Sequence, residues 1–244
     1  MFAPGFLLFA AVAAAPNVPA PEPSRVAQAR HDKGTAVQQL FADARVAYPP
    51  REVLLRSFKS EGRLELWAGN GSSALALIKS YPVCASSGSL GPKRREGDLQ
   101  VPEGFYDVDA LNPWSSFHLA LHVDYPNAAD RIRSQGVRRL GGAIMVHGNC
   151  VTIGCIPIED DPIKEVYLIV HDARARGARI PIHIFPRRLH DEALAELLKT
   201  NAPADTKVLW RELAAGYAAF EGTKRIPRIT IDRDGRYRVT KWRP

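Results

Sequence analysis

GGAIMVHGNCVTIGCIPIEDD, residues 141–161, is the stretch on which the reading of this chain turns. Residues 143–146 are apolar and strand-like, and they deliver the pair His147-Gly148 to the strand end. A short loop then brings in Thr152-Ile153-Gly154-Cys155. Asp160-Asp161-Pro162 places acidic residues and a proline where a helix opens, and Ile163, Val166, Tyr167, Ile169 and Val170 continue it as one apolar face. Strand, loop and helix therefore follow one another, with an imidazole and a thiol held in the loop.

Upstream the texture is that of short strands. Residues 52–59 (EVLLRSFK), 63–67 (RLELW) and 73–80 (SALALIKS) are separated by Gly-containing turns, as in an antiparallel meander. Further strands are expected at 104–108, 117–123 and 143–146. Downstream, 179–185 (RIPIHIF) reads as a strand, 191–199 and 205–220 as helices, and 228–231 and 236–240 as strands around Asp234-Gly235. Before the meander, 16–35 reads as a linker and 34–46 as a short helix stopped by Pro49-Pro50. The domain division expected is 1–15 signal peptide, 16–50 linker and short helix, 51–186 catalytic domain, and 187–244 a basic C-terminal extension. The fold class is α+β, a mostly antiparallel β-sandwich or partial barrel decorated by helices.

A thiol becomes a useful nucleophile once deprotonated, and a nearby imidazole can take that proton. Gly154 lets the backbone approach a substrate closely, and neighbouring N–H groups can hold an oxyanion. The residues by themselves leave alternatives open. A Cys after Gly in an apolar run also reads as a small buried side chain. His147, Cys150 and Cys155 are three soft metal ligands, although H-x2-C-x4-C is not a familiar zinc spacing and no fourth local ligand is evident. Cys150 reads as a resolving thiol for Cys155 or as a small side chain packed under the loop, and Cys84 as buried. His118 and His122 are expected to alternate on one strand face, lining a groove or facing solvent. Lys93-Arg94-Arg95 is a solvated turn or a grip on carboxylates. His171, His183 and His190 have no partner legible from spacing.

VHGNCVTIGC resembles the active-site motif of the YkuD-type L,D-transpeptidase catalytic domain family, in which an HG pair precedes [S/T]-x-G-C. Residues 91–106 (GPKRREGDLQVPEGFY) are similar to that family's Pro-x-Gly segment, here Pro102-Glu103-Gly104. Residues 117–131 (FHLALHVDYPNAADR) and the tail WRELAAGYAAFEGTKRIP resemble its YafK-like, or DpaA-like, branch. The likeness runs from about Glu52 to the C-terminus. It implies Cys155 as nucleophile and His147 as proton donor and acceptor, with Gly148 and Thr152 as motif support. It also implies an oxyanion site of the Ile153, Gly154 and Cys155 amides, with a thiolate favoured by the facing imidazolium. Peptidoglycan stem peptides are the implied substrate, with no cofactor and no metal. The loop after HG is short, and Pro157 stands where many members carry Arg or Asn. Both features bear on cross-linking, and the branch's best-known member is an amidase that releases a lipoprotein from diaminopimelate. The alternative from another class is a catalytically idle peptidoglycan-binding module.

Bulk properties suit this reading. The 244 residues are 45% hydrophobic and carry a net charge of +7, so an anionic partner is expected. No nucleic-acid motif accompanies that charge. Residues 187–244 contribute +5 of it. FLLFAAVAAA, residues 6–15, is too short to span a membrane and ends in small residues, which is a secretory signal in outline. The protein is thus expected in the periplasm or cell envelope, with no stable membrane span after processing. N-terminal sequencing of the native protein from an envelope fraction should begin near Pro16; Met1 in a cytosolic fraction would overturn the export expectation.

Overall fold

The computed structural model describes residues 22–71 and 74–240. The candidate signal segment lies outside them. In chain order the elements are α1 (Ser24–Asp43), β1 (Glu52–Phe58), β2 (Arg63–Gly69), β3 (Ala76–Pro82), β4 (Gly104–Asn112), β5 (Ala120–Val123) and α2 (Ala128–Arg133). They continue as β6 (Met145–His147), β7 (Ile156–Pro157), α3 (Asp160–Ala175), β8 (Pro181–Phe185), α4 (Asp191–Lys199), α5 (Ala204–Thr223), β9 (Arg228–Ile231) and β10 (Tyr237–Thr240). Eight strands form one curled sheet in the order β3-β2-β1-β8-β4-β5-β6-β7, a half-barrel, and β9–β10 is a separate hairpin. Only β1–β8 and β6–β7 run parallel within the large sheet. The α+β, mostly antiparallel partial barrel expected from the sequence is the fold found.

The sheet is buried on both sides, which explains why EVLLRSF lacks polar alternation. Val53 and Leu55 belong to a core shared with Val37 and Phe41 of α1 and with Val166 and Val170 of α3. Phe58 and Phe185 point the other way, into a core with Leu209, Trp210 and Leu213 of α5. The C-terminal segment is therefore packed onto the sheet. Its strongest tie is Arg56, fully buried, which donates to Glu221 at 2.7 Å and lies 4.5 Å above the Phe220 ring. A buried guanidinium is tolerated only with such partners.

Several elements differ from expectation. The helix before the sheet begins at Ser24, within the stretch read as a linker. Its charges hid an apolar stripe of Val26, Ala29, Val37 and Phe41, while Arg30 is taken up by Asp172 at 2.8 Å. The strand expected at 117–123 starts only at Ala120, so His118 sits in the preceding loop and shares no strand face with His122. Helix α2 was not anticipated. Its start is fixed by a capping box between Asn127 and Asp130.

The outer strands β3 and β7 meet just beyond their ends. The Cys84 amide donates to the Pro157 carbonyl at 3.0 Å, and Cys84 is disulfide-bonded to Cys150. Cys84 is thus half-exposed and bonded rather than buried, and Cys150 is exposed rather than packed under the loop. Its partner is Cys84, which leaves Cys155 as the free thiol. The bridge spans 66 residues and closes the seam of the half-barrel. Removing such a link raises the entropy of the unfolded chain by an amount worth about 2–4 kcal/mol. Denaturant unfolding of Cys84→Ser/Cys150→Ser should show a loss of that order, and an unchanged midpoint would refute the structural role.

Candidate functional site

His147 ends β6, in register with Ala120 of β5 and Pro157 of β7. Its imidazole is 1% exposed. Nδ1 is bonded to the Gly148 carbonyl, which fixes the ring and leaves Nε2 buried and without a hydrogen bond. Burial pushes the His147 pKa down, opposed in part by that carbonyl. Gly148 has to be glycine, because a Cβ there would lie 2.9 Å from the Phe117 carbonyl and closer still to Asp160.

Cys155 follows a tight turn organised by Thr152. The Thr152 hydroxyl accepts the N–H groups of Gly154 (3.1 Å) and Cys155 (2.8 Å) and donates to the Cys155 carbonyl at 2.8 Å. This is the physical reason for a hydroxyl residue in the motif. Gly154 adopts φ +136°, and a Cβ there would meet the Gln100 carbonyl at 3.0 Å. Ile153 is 78% exposed. Two of the three amides expected to form an oxyanion site are thus already held by Thr152. The Cys155 thiol rests 3.6 Å from the Ala143 carbonyl. Burial pushes its pKa up, and the Met145 backbone and the charge of Lys93 oppose this.

Cys155 opens on a cavity of about 260 Å³, walled by Lys93, Leu99, Gly142, Ile144 and Ile153. On its other side, with Lys59 and Val101, is a pocket of about 30 Å³. A larger cavity of about 350 Å³ lies between β4, β8 and the β9–β10 hairpin, and Cys155 does not line it. Lys93 is not on a solvated turn: it is buried, with its ammonium on Asp98 at 2.6 Å and the Arg95 carbonyl at 3.0 Å. Burial would raise the Asp98 pKa, but Lys93 and the N–H groups of Arg94, Arg95 and Gln100 hold it below the usual carboxylate range. Arg94 turns to Asp130 and Asp205, and Arg95 is exposed.

One buried carboxylate escaped the sequence reading. Glu103, in the Pro102-Glu103-Gly104 turn, accepts Lys59 Nζ at 2.9 Å, the Gly91 amide at 2.7 Å and Trp210 Nε1 at 2.8 Å. Nothing in the spacing marks it, since its partners come from three distant segments. The remaining histidines lie outside this constellation. His122 pairs with Asp109 at 2.6 Å, His171 with Asp172 at 2.9 Å, and His190 caps α4. His183 is buried in the sheet and held neutral, its pKa lowered to about 3 by burial and by the nearby guanidinium groups of Arg56 and Arg179. Cys84, Cys150 and Glu159 bring ligand-type atoms within 4.8 Å of one another, but the two sulfurs are bonded together and offer no thiolate.

Residues 54–184 match the YkuD family of L,D-transpeptidase catalytic domains. The chain belongs to that family. It is 35% identical over 192 residues to the YafK protein of Escherichia coli (strain K12), a match covering 78% of this chain and 74% of that one. YafK of E. coli O157:H7 matches equally. Among solved structures, the helical cell shape determining protein Pgp2 from Campylobacter jejuni superposes with a TM-score of 0.46 at 17% identity, covering 74% of this chain and 72% of Pgp2. The L,D-transpeptidase family acts on peptidoglycan, and its members are in general enzymes. No helix among the described residues is long and apolar enough to cross a membrane.

Burial pushes the Cys155 thiol up and the His147 imidazole down, the opposite sense to the ion pair that the resemblance implies. Iodoacetamide alkylation of Cys155 should therefore show a midpoint above the value of about 8.5 for a free cysteine. Lys93→Met should move it higher still, because an opposing positive charge is removed. A midpoint below 8.5 would restore the ion pair.

Proposed function

We propose that this protein is a cysteine-dependent acyl-transfer enzyme of the cell envelope acting on peptidoglycan stem peptides. What supports the reading is that one motif of a YkuD-family chain carries both His147, with a buried and unbonded Nε2, and the free Cys155 thiol, which lines a cavity. Residues 51–186 supply the catalytic domain, residues 1–15 the export signal, and residues 187–244 the basic extension, whose helix α5 packs behind the sheet.

Burial, which pushes the Cys155 thiol up and the His147 imidazole down, sets the order of events in this reading. Cys155 turns from the Ala143 carbonyl toward His147, and Nε2 takes the thiol proton as sulfur attacks the amide carbonyl beside diaminopimelate. The carbonyl oxygen gains the negative charge. The amides of Ile153, Gly154 and Cys155 stabilise it, the latter two sharing their N–H groups with Thr152. His147 then returns the proton to the leaving amine as the C–N bond breaks, leaving a thioester on Cys155. An acceptor amine, giving a cross-link, or water, giving hydrolysis, attacks the thioester and restores the thiol.

The second outcome would be cleavage of a diaminopimelate–lipoprotein linkage.

Digestion of purified sacculi followed by mass analysis of muropeptides tests the reading. New cross-links mean transfer, and lost lipoprotein remnants mean hydrolysis. Cys155→Ala should abolish either, His147→Ala should slow it by roughly 10²–10⁴-fold, and Cys150→Ser should retain substantial turnover. Undiminished turnover by Cys155→Ala would end the proposal.

A further inference from the structure

Phe117 is an aromatic residue that core burial does not explain, being 38% exposed. Its ring stacks on the His147 imidazole, with centroids 4.8 Å apart and planes 28° from parallel. The loop that presents it is unusually constrained. The Gly148 amide, next to the base, donates to the Phe117 carbonyl at 3.1 Å. The Ser115 hydroxyl accepts the Phe117 amide at 3.0 Å. His118 is held at φ +70°, a conformation uncommon for a non-glycine residue. Helix α1 braces it. Arg25 Nη1 donates to the Ser115 carbonyl at 2.6 Å and to the His118 carbonyl at 2.8 Å, across 90 and 93 residues of sequence.

We propose that Phe117 is a positioning residue for the base His147, and that Arg25 of α1 acts through it by clamping the 115–118 loop. The proposal rests on the reading of His147 as the base. It makes α1, which lies outside the residues matching the family, a part of the catalytic unit.

The physics is as follows. The Gly148 carbonyl fixes one edge of the imidazole, and that single bond leaves the ring free to tilt about its axis. A stacked aromatic face removes the tilt and leaves Nε2 without a hydrogen bond. It also excludes water from the ring, in keeping with the lowered pKa of His147. The charged and titratable groups around this corner are Asp160, Asp161 and Lys164 of α3, Arg25 of α1, and the neighbouring His118. An aromatic face also attracts an imidazolium, though weakly at exposed sites. Here the ring is almost wholly buried, so water exclusion outweighs that attraction. Loss of Phe117 thus rehydrates the imidazole and raises its pKa toward the ordinary value of about 6.5.

The test combines NMR titration of the His147 ring with kinetics on sacculi. Phe117→Ala should raise the ring titration and carry the acid limb of kcat upward with it. It should also lower kcat by roughly 10–100-fold, the scale on which about 1 Å of misplacement is felt, with KM little changed. Phe117→Tyr should restore all three. Arg25→Met, which touches neither thiol nor imidazole, should shift titration and kcat in the same sense by less, and by nothing further when added to Phe117→Ala. A His147 titration that stays put or falls in Phe117→Ala, or a change confined to KM, overturns the proposal, and so does an Arg25→Met effect that adds in full to Phe117→Ala. If Arg25→Met does not fold, the Ala and Tyr variants of Phe117 decide by themselves. The ring titration needs no turnover, so it stands even if His147→Ala shows that another residue is the base.

Discussion

The ion pair between Lys59 and Glu103 holds the rest of the site in place. Both side chains are out of water, and Glu103 spends its two oxygens on three donors: the Lys59 ammonium, the Gly91 amide and the Trp210 indole. Lys59 in turn donates to the Gly91 and Val101 carbonyls at 2.9 and 3.0 Å. Both ends of the 91–101 segment are thereby pinned to the end of β1 and to α5. That segment carries Lys93 and Leu99 into the wall of the cavity and sets the Gln100 carbonyl against Gly154. With both charges desolvated, loss of either partner would leave the other uncompensated. The geometry around Cys155 is thus inherited from a carboxylate that never approaches it.

Burial acts on both groups of the motif. It pushes the Cys155 thiol up and the His147 imidazole down, while the charge of Lys93, itself matched by Asp98, opposes the first of these shifts. In the proposed reaction such an arrangement favours deprotonation and attack as one event, and the alignment of the His147 ring then counts for more than the local field.

Much of this was legible in the sequence because it depends on local rules. The bounds of α4 and β9 follow from capping and β-branched runs, and His147 and Cys155 stand out through the strand, loop and glycine around them. What escaped depends on distant partners. The early start of α1 was masked because its charged residues find Asp172 and Asp161 elsewhere in the chain. The Cys84–Cys150 bond joins segments whose proximity exists only once the sheet has curled. His118 looked like a strand residue by alternation, but Arg25 holds its backbone in a left-handed turn. Lys93 read as a surface charge because its acceptor, Asp98, is brought back by a turn that spacing does not reveal.

The seam between β3 and β7 has a bearing on life in a crowded compartment. An open sheet offers unpaired N–H and C=O groups to any neighbouring chain. Here β3 ends in Pro82 and β7 in Pro157, neither of which has an N–H to offer. The single amide of Cys84 is already committed to Pro157, and a covalent sulfur bridge locks the two margins together. Tied in this way, the β3–β7 seam offers less unpaired backbone to an incoming strand than two open margins would.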